Sequence, residues 1–149
     1  MTIAFRQRSV LTEIGPGALL HSLFSTVAVR LEGGQWGERY PLIMSRIYGG
    51  HLDQADAVAA LVEMEQIRER LARLDPGEVV WDAERPTQAP PWGHTVGPHV
   101  TSMANYFVTT TGRNLVNEII DNLESLRDFG GGLEIVPSGD PNRPLPGTA

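Results

Sequence analysis

Hydrophobic residues along the chain recur at two spacings, that of strands and that of helices. Residues 2–14 mix β-favouring side chains with polar ones, which predicts one strand, or two short ones, ending at Gly15-Pro16-Gly17. Further along, apolar residues recur three and four positions apart, which is typical of a helix that buries one face. This spacing predicts helices over residues 18–31, 54–74 and 113–129, and a shorter helix, with Pro41 in its first turn, over residues 40–48.

Three short β-favouring runs complete the pattern. Residues 78–82, which include Val80 and Trp81, favour a strand, and two further runs favour strands over residues 105–111 and 133–136. The predicted order of elements is therefore β-α-α-α-β-β-α-β. This order favours an α+β fold, with a small, mostly antiparallel sheet covered by three to four helices.

The length of the chain, 149 residues, is the usual size of one domain. Residues 84–98 contain four prolines and two glycines, which indicates an irregular loop. From Pro137 onward, prolines and glycines continue without any hydrophobic pattern. We therefore expect a single α+β domain over residues 1–136 and a flexible Pro/Gly-rich tail over residues 137–149.

The amino-acid composition and the net charge exclude several classes of protein. The chain has no cysteine, which excludes disulfides and thiolate metal sites and fits a cytoplasmic location. Residues 1–10 lack the apolar stretch of a signal peptide, and the longest mostly apolar run, residues 18–31, is too short and too polar to cross a bilayer. The formal net charge of -6 argues against nonspecific nucleic-acid binding and would favour a basic protein partner. We expect a cytoplasmic protein without membrane or nucleic-acid partners, and the sequence leaves its oligomeric state open.

No established catalytic motif can be assembled from the sequence. Gly15-Pro16-Gly17 lacks the third glycine of a dinucleotide fingerprint, and its proline removes a backbone N–H that would bind phosphate. His21 and Ser25 lie four apart on one predicted helix, but neither a third member nor an oxyanion group accompanies them. We interpret this pair as the polar edge of a buried helix and expect no catalytic residues.

A histidine-containing loop supports the alternative of an enzyme. His94 and His99 share a Pro/Gly-rich loop and Asp82 lies upstream, which would permit a small hydrolase or a metal-dependent enzyme. Their spacing matches no pair of ligands on a helix, however, and no thiolate completes a structural site. We therefore expect neither a metal nor another cofactor, and the enzyme remains the alternative to a binding protein.

The tryptophans stand out because they lie outside the helical stripes. Trp36 and Trp92 each precede a glycine in loops that contain charge, where an indole can be a binding hot spot or a lid on the core. Trp81, within a β-favouring run, is assigned to the core. The candidate partner-binding residues are Trp36, Glu38, Asp82, Glu84 and Trp92. A protein-binding adaptor module would present the same surface as an inhibitor, so only the identity of the partner separates these two hypotheses.

Several short motifs follow one another along the chain. They are Glu13-Ile14-Gly15, Leu20-His21-Ser22-Leu23-Phe24-Ser25-Thr26-Val27, Trp36-Gly37-Glu38-Arg39-Tyr40-Pro41, Val80-Trp81-Asp82, Pro90-Pro91-Trp92-Gly93, and Tyr106-Phe107-Val108-Thr109 with Gly112-Arg113. In this order and at these intervals, about residues 10–136 resemble the immunity protein 70 family of bacterial polymorphic toxin systems. The resemblance implies an α+β fold and a protein that binds and neutralises a cognate secreted toxin, so that the producing cell is protected. It implies binding rather than catalysis.

Overall fold

A four-stranded antiparallel sheet forms one layer of the protein. The computed structural model describes residues 1–138, in which β1 (Thr2–Gln7) and β2 (Val10–Pro16) form a hairpin. Two later strands, β3 (His51–Leu52) and β4 (Leu133–Ser138), complete the sheet in the order β2-β1-β4-β3. The hairpin is the second of the two alternatives that the pattern of residues 2–14 left open.

Helices form the other layer. The first, α1 (Gly17–Thr26), continues as a π-helical turn over Val27–Leu31, and a separate π-helical segment spans Leu42–Ile47. The two longest helices are α2 (Ala57–Leu71) and α3 (Leu115–Phe129). Shorter 3₁₀ turns span Gln54–Asp56, Pro76–Glu78 and Met103–Asn105. The predicted fold class, α+β with a small antiparallel sheet and several helices, is confirmed.

One apolar cluster joins the two layers. The sheet contributes Phe5, Ile14 and Leu133, and each helix contributes apolar residues at helical spacing. Val58 of α2 is an exception, because the same spacing places it on the buried face but it is exposed. Phe24 of α1 and Met64 of α2 are among the largest fully buried side chains. Burial of these stripes against the sheet is the main force that holds α1, α2 and α3 in place.

Two predicted strands are wrong. Within residues 1–138, neither residues 78–82 nor residues 105–111 form a strand. Val80 is buried, as its apolar character requires, but its backbone bonds to side chains of α1 instead of a neighbouring strand. In the second segment, Val108 makes only an isolated bridge with Asn114. Both runs are apolar because they pack on the core, and packing alone does not make a strand.

Element boundaries differ in smaller ways. The two-residue strand β3 was not predicted, because a run this short carries no periodicity. The last strand, predicted over residues 133–136, continues to Ser138, which pairs with Thr2. Of the predicted tail, residues 139–149 lie outside the described residues. Among the helices of residues 1–138, none is long and apolar enough to cross a membrane.

Candidate functional site

Helix α1 holds residues 80–84, the segment that contains the candidate residues Asp82 and Glu84. The Ser22 hydroxyl donates to the Val80 carbonyl at 2.9 Å, and the Thr26 hydroxyl accepts from the Val80 N–H at 3.0 Å. One residue earlier in the helix, the Ser25 hydroxyl accepts from the Ala83 N–H at 3.0 Å. All three hydroxyl-bearing residues are buried, so they satisfy backbone groups that would otherwise lack partners. Ser25 therefore belongs to a polar edge of a buried helix, as predicted.

His21, on the same helix, connects two candidate regions. Its Nδ1 lies 2.6 Å from the Tyr48 hydroxyl, and its Nε2 lies 3.1 Å from Oδ1 of Asp82. That oxygen also accepts from the Glu84 N–H at 3.0 Å. The hydrogen bond from His21 and the one from the Glu84 backbone lower the pKa of Asp82. At Tyr48, burial and the nearby carboxylates of Glu84 and Asp82 raise the pKa of the phenol.

The lowered pKa of Asp82 predicts an acid-sensitive contribution to stability. Because the folded-state pKa lies below the unfolded value of about 3.9, the contribution is present above about pH 4 and is lost as the pH falls through the folded pKa. Asp82→Asn removes it, so the loss of stability between pH 5 and pH 3 should be smaller in the variant than in the wild type. Urea unfolding at the two pH values measures the difference. Asp121→Asn, at an exposed position of α3, is the control, and equal losses in the Asp82 variant and the wild type would contradict the prediction.

An aromatic group, the His21 cluster, surrounds this histidine and consists of His21, Phe24, Trp36 and Tyr48. The Trp36 ring stacks on His21 with centroids 6.0 Å apart and meets Tyr48 edge-on at 4.9 Å. Its indole N–H donates to the Met44 carbonyl at 2.8 Å, and the side chain packs against the core. Trp36 is thus a lid on the core that keeps part of its surface exposed, and its role in partner binding stays a prediction.

Two glutamates hold the chain around Trp36. The Glu32 side chain is buried, and its oxygens accept from the N–H groups of Gly37, Arg39 and Tyr40 at 2.9–3.0 Å. Glu63 of α2 accepts from the N–H groups that begin the next π-helical segment, those of Leu42 and Ile43. Burial raises the pKa of Glu63, and Glu32 adds to the rise, whereas the two backbone N–H groups act against it.

Sequence analysis missed both glutamates, although Glu32 leaves one signal. It follows directly on Leu31, at the carboxyl end of a helical segment, where the helix dipole disfavours a negative charge. A carboxylate at such a position must be stabilised by other groups, and here the three N–H groups of the following loop stabilise it. The signal of Glu63 is weaker, because an acidic residue on a helix face resembles any solvated position.

A second aromatic surface, the tryptophan groove, lies next to the 80–84 segment. The Trp92 ring meets Trp81 edge-on at 5.2 Å, and its indole N–H donates to the Tyr106 hydroxyl at 2.8 Å. Trp92 remains 46% exposed, and Trp81 is only partly buried, so Trp81 lines a groove instead of filling the core as predicted. The groove has a volume of about 450 Å³ and an almost wholly apolar lining: Pro16, Ala18, Leu19, Trp81, Pro91, Trp92, Tyr106, Val108 and Thr110.

Four of the five candidate residues fall along one stretch of surface. Trp36 and Asp82 both contact His21, and Glu84 adjoins Asp82 through its backbone. Trp92 contacts Trp81, which precedes Asp82 in the chain. Glu38 is exposed in the loop that Glu32 organises. His21 and Tyr48 complete this surface, and sequence analysis did not assign them to it.

The residues of the alternative enzyme are not brought together. Asp82 bonds to His21, and both His94 and His99 are exposed in the loop. Within residues 1–138, no group of three or more histidine, cysteine, aspartate or glutamate side chains could hold a metal ion. In this part of the chain, Asp82, His94 and His99 therefore do not form a group of metal ligands.

Comparison with known proteins identifies the family. No match was found among curated proteins or among solved structures. Immunity protein 70 is the family that matches the chain, over residues 5–135, which includes every residue of the His21 cluster and of the tryptophan groove. The family description is that of an immunity protein, which implies protection against a toxin. The resemblance carried by the motif series is therefore confirmed, and the chain belongs to the immunity protein 70 family.

Proposed function

We propose that this protein binds one cognate toxin of a polymorphic toxin system in the cytoplasm of the producing cell and neutralises it by covering its active surface. The observation that carries the proposal is the family match over residues 5–135. The proposed contact surface consists of the His21 cluster, the neighbouring carboxylates of Asp82 and Glu84, and the tryptophan groove. In this proposal the protein acts by binding alone and contributes no catalytic group.

The geometry of this surface supports tight binding. Aromatic side chains are the commonest interface hot spots, and fixing them before association avoids the entropy cost of ordering them in the complex. Both loop indoles are fixed in this way, since the Trp36 N–H donates to Met44 and the Trp92 N–H donates to Tyr106. Rigid, partly exposed aromatic rings are what an inhibitor of this kind requires.

Charge favours a basic partner. Asp82, Glu84 and the exposed Glu38 lie on or beside the aromatic surface, and the whole chain has a net charge of -6. An acidic surface increases the rate of encounter with a basic protein, and the increase diminishes as salt rises. We therefore propose a toxin domain whose contact surface is basic.

Co-expression tests the proposal. Cells that express the toxin domain encoded beside this protein should survive only when the protein is also made, and the two purified proteins should form a stable complex. If the cells die in spite of normal expression of this protein, and no complex forms, the proposed function is wrong. A complex with some other protein, without protection from any toxin, would indicate an adaptor module instead.

Trp92→Ala separates binding from stability. We expect the dissociation constant of the toxin complex to rise about 30-fold, which corresponds to about 2 kcal/mol, because a partly exposed aromatic anchor is lost. The free energy of unfolding should change by no more than about 1 kcal/mol, because Trp92 is 46% exposed in the folded protein. Calorimetry measures the binding, and urea unfolding measures the stability.

Phe129→Ala is the matched control for this prediction. Phe129 is an aromatic residue that is 71% exposed at the end of α3, outside the proposed surface. Its replacement should leave the dissociation constant unchanged. Equal affinities of the Trp92→Ala variant and the wild type would show that Trp92 does not contact the toxin.

A further inference from the structure

A polar pocket, the hairpin pocket, lies between the β1–β2 hairpin and helix α3. It has a volume of about 260 Å³, and its lining includes Gln7, Arg8, Thr12, Arg113, Glu118 and Asn122. None of its lining residues belongs to the His21 cluster or to the tryptophan groove. Pockets for drug-sized ligands have volumes of about 300–1,000 Å³, so this one suits a smaller molecule.

The charges of the lining are balanced. Two positive side chains, Arg8 and Arg113, face two negative ones, Glu118 and Asp121. A lining of this kind gives no advantage to a ligand with a net charge. It is complementary to a ligand that carries one charge of each sign.

Glu118 retains unused acceptor capacity in the pocket. Its side chain is only 10% exposed, and within residues 1–138 the carboxylate has one charged partner, Nη1 of Arg113, at 3.5 Å. Hydrogen bonds between a guanidinium and a carboxylate are ordinarily about 2.7–2.9 Å long, so this contact is weak. Because a buried carboxylate is normally paired or hydrogen-bonded, Glu118 indicates that the pocket receives a cationic donor.

Gln7 is a second buried acceptor in the same lining. Its Nε2 donates to both the carbonyl and the Oδ1 of Asn122, at 2.7 and 2.8 Å, which fixes the orientation of the amide. The other amide atom, Oε1, is buried and has no hydrogen-bond partner within residues 1–138. Buried acceptors in native proteins nearly always have a donor, so the wall of the pocket lacks one here.

The two arginines differ in what they can still bind. Arg8 is engaged, since it donates to the Gly130 carbonyl at 2.8 Å and its guanidinium lies over the Phe129 ring at 5.4 Å. Arg113 has a side chain that is 69% exposed, and its guanidinium makes only the long contact with Glu118 among the side chains of residues 1–138. The donors of Arg113 are therefore available to a carboxylate, which the planar guanidinium can bind through two hydrogen bonds.

We propose that the hairpin pocket binds a free α-amino acid with a small polar side chain. The ammonium group, which has three donors, donates to Glu118 and, with a small movement of the amide, to Oε1 of Gln7. The carboxylate of the amino acid accepts from Arg113. Hydroxyl groups of Thr12 and Ser125 in the lining match a small polar side chain. The inference is independent of toxin binding, because the pocket lies outside the proposed contact surface.

Titration of the isotope-labelled protein with L-serine, followed by nuclear magnetic resonance, tests the proposal. The dissociation constant should be about 1 mM or lower, which is reasonable for a ligand of this size. The side-chain amide signals of Gln7 and Asn122 should move, and the indole N–H signals of Trp81 and Trp92 should stay in place. No toxin takes part in the experiment, so its failure would leave the proposed function unaffected.

Two variants test the role of the buried carboxylate. Glu118→Gln keeps the size of the side chain and removes its charge, so it should weaken serine binding at least about tenfold. Glu124→Gln makes the same change at an exposed position of α3 outside the pocket lining. This matched control should bind serine as the wild type does.

Two analogues of serine test whether both charges are recognised. N-acetyl-L-serine lacks the ammonium group and should bind at least about tenfold more weakly than L-serine. L-serine amide lacks the carboxylate and should bind at least about threefold more weakly, as expected from the loss of an exposed ion pair. The absence of a saturable shift at roughly 20 mM L-serine would overturn the proposal. Equal binding of L-serine and either analogue, or equal binding by the wild type and Glu118→Gln, would also overturn it.

Discussion

Replacing Glu32 by alanine is expected to lower the free energy of unfolding by about 4 kcal/mol, the largest effect of any single change proposed for this protein. The carboxylate is buried, with 7% of the residue exposed, and accepts three backbone N–H groups of the loop that carries Trp36. Hydrogen bonds to a charged acceptor contribute about 1.5–3 kcal/mol each, and the sum is reduced because water reaches the freed N–H groups of Gly37 and Arg39. The melting temperature should fall by roughly 10 °C.

Urea unfolding followed by circular dichroism measures this loss of stability. Two further variants test whether the loss comes from the hydrogen bonds of the Glu32 carboxylate. Glu32→Gln keeps one oxygen acceptor and should lose about half as much stability, roughly 2 kcal/mol. Glu38→Ala removes an exposed glutamate from the same loop and should change stability by less than about 0.5 kcal/mol. A loss below about 1 kcal/mol in Glu32→Ala would mean that the loop is held by its apolar contacts and not by the carboxylate.

Trp36→Ala is expected to cost about 3 kcal/mol of stability, in contrast to the small effect expected of Trp92→Ala. The Trp36 ring covers Phe24, contacts Tyr48 and His21, and donates its N–H to the Met44 carbonyl. Removal opens one side of the core and leaves that carbonyl without its donor. The estimate is at the lower end of the range for buried aromatic residues because part of the ring is exposed.

The comparison of the two tryptophan variants is the informative measurement. Trp36→Phe keeps an apolar ring but loses the N–H, so it should recover more than half of the stability lost in Trp36→Ala. If Trp36→Ala and Trp92→Ala lose equal amounts of stability in urea unfolding, the assignment of Trp36 as a lid on the core is wrong. Toxin affinity of the Trp36→Phe protein then measures the contribution of the exposed edge of the ring to binding.

The sequence predicts the secondary structure well wherever an element buries a regular stripe. The three predicted helices that became α1, α2 and α3 each bury apolar residues at helical spacing, and the hairpin of β1 and β2 ends at the predicted glycine and proline turn. Prediction failed at residues 78–82 and 105–111. There the β-favouring residues are buried on the core, but the hydrogen-bond partners of Val80 are hydroxyl groups 54 and 58 positions away along the chain. Nothing local in the sequence indicates such partners.

The candidate site shows the same limit. Trp36 and Trp92 could be selected from their residue type and their position in loops. An indole outside a helical stripe indicates either a lid on the core or a binding residue. The bond between His21 and Asp82, across 61 positions, depends on how the 80–84 segment crosses α1 and could not be predicted. The sequence alone therefore suggested His94 and His99, which are close to Asp82 along the chain, as its partners in a site. In the structure Asp82 instead bonds to His21.

The hydroxyl groups of α1 have a consequence for how this surface can change. Within residues 1–138, the side chains of Ser22, Ser25 and Thr26 bond only to main-chain atoms of Val80 and Ala83. They therefore fix the backbone of the segment without contacting its side chains through hydrogen bonds. Trp81 and Glu84 can therefore be exchanged for other residues while the backbone stays anchored, whereas Asp82 also accepts the Glu84 N–H through its side chain. With such a scaffold, the partner specificity of an inhibitor can change without loss of its ability to fold. The substitutions that change specificity are needed only at positions whose side chains do not hold the backbone in place.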